Sequence, residues 1–198
     1  MTATTRPYHH GSLRPALLAA AEQALERGGV QALSLRELAR EIGVSHAAPR
    51  RHFADKQALL DALAEEGFER LGQEMSAGLE KAGPHFTPRL KALAHTYVRF
   101  ATDRAALLEL MYAGKHRPGA ERLREAADRA FAAPLQLVTE AQKAGEIAAD
   151  DVYRSGAVTI AAFHGIAAMA NNGMLGDFPL EPLVDAAVAL LLDGLRPR

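Results

Sequence analysis

Residues 34–56 read SLRELAREIGVSHAAPRRHFADK, and this stretch decides what kind of chain this is. Leu35, Leu38, Ala39 and Ile42 recur at the spacing of one helix face. The start Ser34-Leu35-Arg36-Glu37 predicts a capping box, with the Ser34 hydroxyl and the Glu37 carboxylate each meeting a free backbone N–H. Gly43 follows the last apolar position, where helices commonly end on a left-handed residue. Ser45 then caps a predicted very short helix over 46–52, and Asp55 caps the helix after it. Helix, glycine turn, short helix is the sequence shape of a helix-turn-helix. Such a unit needs a turn glycine, apolar braces, and exposed polar positions on the second helix, which enters the DNA major groove. Gly43 is the turn. Leu38, Ala39, Ile42, Val44 and Phe53 are the braces, and Ser45, His46, Arg50 and Arg51 are the polar positions.

Helical periodicity continues on both sides. Upstream, Leu13, Leu17, Ala20, Ala21, Ala24 and Leu25 predict a first helix, with Ser12 as N-cap and Gly28-Gly29 as its end. Downstream, Leu60, Leu63, Ala64, Gly67, Phe68, Leu71, Met75 and Leu79 predict a long connecting helix over 56–80 that breaks at Ala82-Gly83-Pro84. Further helices are expected over 88–102, 104–113, 118–143, 151–173 and 181–195. Pro134 should kink or split the 118–143 helix, and Asp150-Asp151 should cap the one after it. No segment alternates with period two for long enough to make a strand. The expectation is an all-α chain of about nine helices, with a three-helix N-terminal domain over 1–56 and a longer helical bundle over 57–198.

Composition agrees and excludes several function classes. Ala and Leu make up about a third of the 198 residues, which favours helix. With no Cys, disulfides, thiolate metal sites and Cys nucleophiles are ruled out. The longest apolar run, Gly156 to Ala170, is too short for a membrane span and contains His164, and the first dozen residues have no signal-peptide core, so a cytoplasmic, non-membrane protein is expected. The net charge of −1 hides an asymmetry: residues 1–56 carry eight Lys or Arg against five Asp or Glu. A basic head on an acidic body points to an anionic partner at the head. His9-His10 lacks a third ligand and no HExxH occurs, so no metal site is expected, and the pair with Arg6 reads as an arm. No Walker, GxSxG or GxGxxG pattern is present, so neither a catalytic residue nor a cofactor is assigned.

Residues 8–70 resemble the DNA-binding domain of the TetR family of bacterial transcriptional repressors. The resemblance rests on Val44-Ser45, on Arg51-His52-Phe53-Ala54-Asp55-Lys56 with Leu59-Leu60, and on the opening Tyr8-His9-His10-Gly11-Ser12-Leu13. Residues 85–195 match that family only in helical layout, and Phe163-His164-Gly165 resembles a Trp-His-Gly signature of one branch, with Phe163 in place of the Trp. The resemblance implies that Ser34 and Arg36 meet phosphate at a helix start, and that Ser45, His46 and Ala47 face base edges or the sugar–phosphate wall. Of Arg50 and Arg51, one reads guanine while the other clamps phosphate; His52 and Lys56 contact phosphate. Two positions depart from the family pattern. Pro49 stands at a usually helix-friendly position and Arg50 where an aromatic is common, so the operator of a relative does not transfer.

The resemblance also implies a C-terminal cavity for a small-molecule effector and a two-fold homodimer on double-stranded DNA with a pseudo-palindromic operator. Tyr97, Phe100, Met111, Tyr112, Phe131 and His164 are the candidate effector contacts, either as core or as cavity lining. Ile160, Ile166, Val184, Val188 and Leu191 are the candidate dimer residues of a four-helix bundle. The mixture of His, Tyr and apolar residues suggests a mostly apolar effector with one or two polar handles. The alternative is a helical ligand-binding or enzymatic bundle whose basic head is incidental.

Overall fold

The computed structural model of the chain describes residues 13–149 and 151–195, so the predicted cap at Ser12, the arm of Arg6 and His9-His10, and Asp150 lie outside the described residues. Eight α-helices follow in order among the described residues: α1 (Leu13–Gly28), α2 (Leu35–Glu41), α3 (Lys56–Lys81), α4 (Phe86–Asp103), α5 (Ala105–Gly114), α6 (Glu121–Lys143), α7 (Val152–Asn171) and α8 (Leu180–Leu195). Two short 3-10 turns, Val30–Ala32 and Pro49–Arg51, flank α2. No helix among the described residues is long and apolar enough to cross a membrane.

α1 forms because Leu17, Ala21 and Leu25 line one side at helical spacing, and all three are buried. α2 is short, and it ends as its sequence predicts. Gly43 takes φ +73°, Gly43 N–H donates to Arg40 C=O at 3.3 Å, and Val44 N–H donates to Ala39 C=O at 2.9 Å. Those two bonds are a Schellman cap, which needs a residue that tolerates the left-handed region. The start of α2 differs from expectation. Ser34 has extended N-cap backbone angles, but its hydroxyl makes no capping bond, and Glu37 lies 4.0 Å from Arg40 instead of reaching back. The capping box is therefore replaced by an i,i+3 charge pair on an exposed surface.

The predicted 46–52 helix is also corrected. Residues 45–52 wind through i→i+3 bonds, Ala48 to Ser45 at 3.0 Å, Arg51 to Ala48 at 3.2 Å and His52 to Pro49 at 3.0 Å, and Phe53 N–H closes one i→i+4 bond to Pro49 C=O at 2.9 Å. Pro49 has no N–H with which to continue an α-helical ladder from Ser45, and the residue before a proline resists the α region. Ala48 is nevertheless held at φ −63°, ψ −44°, so the segment closes as a tight 3-10 turn over Pro49–Arg51.

α3 is the axis of the molecule. Asp55 caps it, its carboxylate accepting from Ala58 N–H at 2.8 Å. Its stripe Leu59, Leu63, Phe68, Leu71, Met75 and Leu79 is buried along the whole length. α4, α5 and α6 pack around it, and α7 and α8 pack on α4. α3 and α6 approach backbone to backbone, where a Cβ placed on Gly72 would lie 2.9 Å from Ala130 Cα. α6 runs unbroken through Pro134, which removes only the bond to the Ala130 carbonyl at this same crossing. The next helix, α7, begins as expected at Asp151, whose carboxylate accepts from Tyr153 and Arg154 N–H at 2.9 and 3.3 Å.

Candidate functional site

The head formed by α1, α2 and the 45–53 turns presents a polar edge. Pro49 and Phe53 turn inward, and Phe53 is 3% exposed. Arg14 lies over the Phe53 ring, 5.6 Å from its centroid. Around this anchor Ser45, His46, Ala47, Arg50, Arg51 and His52 are all exposed, as is Arg36 in the first turn of α2; Ser34 and Lys56 are half-buried. The expected DNA-facing residues therefore occupy α2's first turn, the 3-10 segment and the start of α3.

Charge pairing sorts the basic side chains of the head. Arg27 pairs with Glu41 at 3.2 Å and Arg40 with Glu37 at 4.0 Å. Arg36, Arg50, Arg51 and Lys56 have no ion-pair partner among the described residues. The edge that carries these unpaired cations is therefore a locus of positive charge.

A second site lies in the body. A cavity of about 680 Å³ opens between α3, α4, α6 and α7. Met75, Leu90, Leu93, Phe131, Leu135, Val138 and Phe163 make its walls. Ile160, a candidate dimer residue, lines this cavity as well. Of the six candidate effector residues only Phe131 lines it. Tyr97, Phe100 and Met111 are fully buried in the core. The Tyr97 hydroxyl bonds to Tyr112 Oη at 3.1 Å and to His164 Nδ1 at 2.9 Å, so these three side chains form a separate polar cluster. Burial pushes the phenol pKa values of both Tyr97 and Tyr112 upward. His164 is satisfied by Tyr97 and otherwise exposed.

The outer edge of α7 and α8 is apolar and uncovered in a single chain. Among the described residues, every exposed large hydrophobic residue apart from Val30 lies on α7, on α8 or on the loop between them: Tyr153, Val158, Met169, Met174, Phe178 and Leu190. Val184, Val188 and Ile166 instead turn into the protomer's own core, and Leu191 is half-buried. Ala157, Val158, Ala161 and Met169 share one exposed side of α7.

Ion pairs tie head to body along α3. Arg70 holds Glu22 of α1 at 2.7 Å, and Arg104, at the α4–α5 corner, reaches Glu22 at 3.8 Å and Glu74 at 3.5 Å. Leu107 N–H of α5 donates to Glu26 of α1 at 3.3 Å. Farther out, Arg117 pairs with Asp61, and Arg122 with Glu65 at 3.4 Å.

Comparison with known proteins agrees with this architecture. Residues 17–63 match the family model described as bacterial regulatory proteins, tetR family, and residues 90–195 match the one described as tetracyclin repressor-like, C-terminal domain. The chain belongs to the TetR family of bacterial transcriptional regulators. A solved protein of unknown function from Rhodococcus sp. RHA1 is 50% identical, covering 98% of this chain and 100% of its own, with a TM-score of 0.91. A TetR family transcription regulator from Marinobacter aquaeolei VT8 shares the fold at 18% identity, over 95% of this chain and 97% of its own, with a TM-score of 0.77. FadR from Bacillus subtilis, solved with stearoyl-CoA, shares it at 17% identity, over 92% and 99% of the two chains, with a TM-score of 0.70. No functionally curated protein matches the chain.

Proposed function

We propose that this regulator is a homodimeric repressor, released from a palindromic operator when a small molecule enters the cavity of the body. It works by binding and not by catalysis, in the cytoplasm where its DNA lies. The unpaired set Arg36, Arg50, Arg51 and Lys56 on a helix-turn-helix edge carries this reading. Residues 1–56 form the reading head and 57–198 the effector and dimer domain. In the head, Arg36 and Lys56 clamp phosphate with Ser34 and His52 beside them. Ser45, His46, Ala47 and the Arg50–Arg51 pair face the groove.

The uncovered edge of α7 and α8 supports the dimer. Val158, Ala161, Met169 and Leu190 would meet their two-fold mates as a four-helix bundle, with the heads about 34–36 Å apart on successive major grooves. α3 supports the release step, because Met75 lines the cavity and Lys56 opens the same helix. Nineteen residues separate them, about 28 Å at 1.5 Å per residue, so a tilt of about 5° moves the head by about 2.5 Å. An effector that fits the tilted form better shifts the population away from the DNA-spaced one.

The test is the double variant Arg50→Ala with Arg51→Ala. Operator affinity should fall by at least a hundredfold, with helix content and oligomeric state unchanged. Full retention of DNA binding by a folded double variant would sink this assignment.

A further inference from the structure

We propose that the cavity between α3, α4, α6 and α7 takes a cationic amphipath, its chain in the apolar interior and its positive head group against Asp128. The inference rests on reading this cavity as the effector site and adds the charge of the ligand. The walls are hydrocarbon except for Asp128, Tyr153 and Thr159. Thr159 is already spent, its hydroxyl donating to Ser155 C=O at 2.8 Å. Asp128 is the one ionisable carboxylate in the lining, and among the described residues nothing pairs with it. The basic neighbours on α6 that could neutralise it are engaged elsewhere: Arg124 with Glu121 at 2.8 Å and Arg129 with Glu69 at 3.6 Å. Asp128 and Tyr153 are both exposed at the rim, so a head group there keeps part of its hydration. A carboxylate with an aromatic ring lining the same mouth attracts a cation by charge and by the ring quadrupole, and it repels a carboxylate or phosphate head. A volume of about 680 Å³ lies within the range of drug-sized ligand sites.

Calorimetric titration with three ligands of equal chain length, each below its micelle concentration or solubility limit, separates the possibilities. Decyltrimethylammonium should bind roughly five- to tenfold tighter than 1-decanol, and decanoate should bind most weakly. Asp128→Asn should remove the preference for the cation and leave decanol within about twofold. Gly156→Leu should abolish binding of all three, because Gly156 lines the cavity and a Cβ there first meets Leu135 Cδ1 at 3.5 Å, leaving room for a side chain to grow inward. Ala132→Trp, at the exposed rim, is the second blocking variant should the first fail to fold. Equal or tighter binding of decanoate, or a cation preference that survives Asp128→Asn, overturns the charge inference while leaving the cavity as the site. No binding by any of the three, or binding that both blocking variants leave intact, overturns the cavity reading itself.

Discussion

The salt dependence of operator binding follows from the charge sorting in the head. Among the described residues each head offers four unpaired cations on this edge, Arg36, Arg50, Arg51 and Lys56, besides Arg14 stacked on Phe53, and a dimer offers twice those four. If all contact phosphate, log K against log salt has a slope of about −7; if Arg50 and Arg51 read bases only, the remaining four contacts give about −3.6. Raising salt from about 50 to 200 mM therefore weakens binding by roughly 10² to 10⁴. Lys56→Ala removes two phosphate contacts per dimer and should flatten the slope by about 1.8, with little change in which sequence is preferred. Arg50→Ala should relax preference at one position per half-site, at about 1–3 kcal/mol for a guanine-reading pair. The assay is fluorescence anisotropy with a labelled duplex across a salt series, for the parent and each variant. A parent slope shallower than about −2, or a Lys56→Ala slope equal to the parent's, would refute the assignment of these cations to phosphate.

Other substitutions test the frame that carries the head. Asp55→Ala removes the α3 cap and should cost about 1 kcal/mol, read as a fall of about 2–4 °C in the thermal midpoint. Phe53→Ala, at a site 3% exposed, should cost roughly 3–5 kcal/mol in chemical denaturation, with loss of DNA binding as the turn over Pro49–Arg51 loses its anchor. Gly72→Leu drives a side chain into Ala130 Cα and should cost at least about 1–3 kcal/mol, lowering the midpoint and displacing the helix that joins cavity to head. Raising pH past 10 should lower stability. The Tyr97 phenol is raised above its ordinary value by burial, so its contribution is complete below that value and is lost above it. Unfolding midpoints of Tyr97→Phe against the parent, from pH 8 to 11, should show the smaller loss in the variant.

Most of the frame was legible in local sequence because its signals are local. Gly43 and Asp55 act through backbone bonds within five residues of themselves, and both sit where their residue types predict. The 46–52 segment departs from the very short helix its pattern predicts because one proline outweighs the residues around it: Pro49 withholds the N–H that an α turn from Ser45 requires. Which face of α8 looks outward was not legible. Apolar residues spread round most of α8, Leu183, Val184, Val188, Leu190, Leu191 and Leu192 among them, so its period does not tell the inward Val184 and Val188 from the exposed Leu190. The cavity was hidden for a different reason. Met75, Leu90, Phe131, Val138 and Ile160 lie on four helices far apart in sequence, and no spacing rule joins them. The aromatic stripe of Tyr97 and Phe100, which helical spacing leaves open as core or lining, is core.

Selection of bound DNA from a random duplex pool tests the central claim most directly. The account predicts enrichment of an inverted repeat whose half-site centres are about 10 bp or a multiple apart, bound by a dimer and lost in the Arg50→Ala, Arg51→Ala double variant. A pool that shows no enriched sequence, with weak binding that the double variant retains, would contradict it.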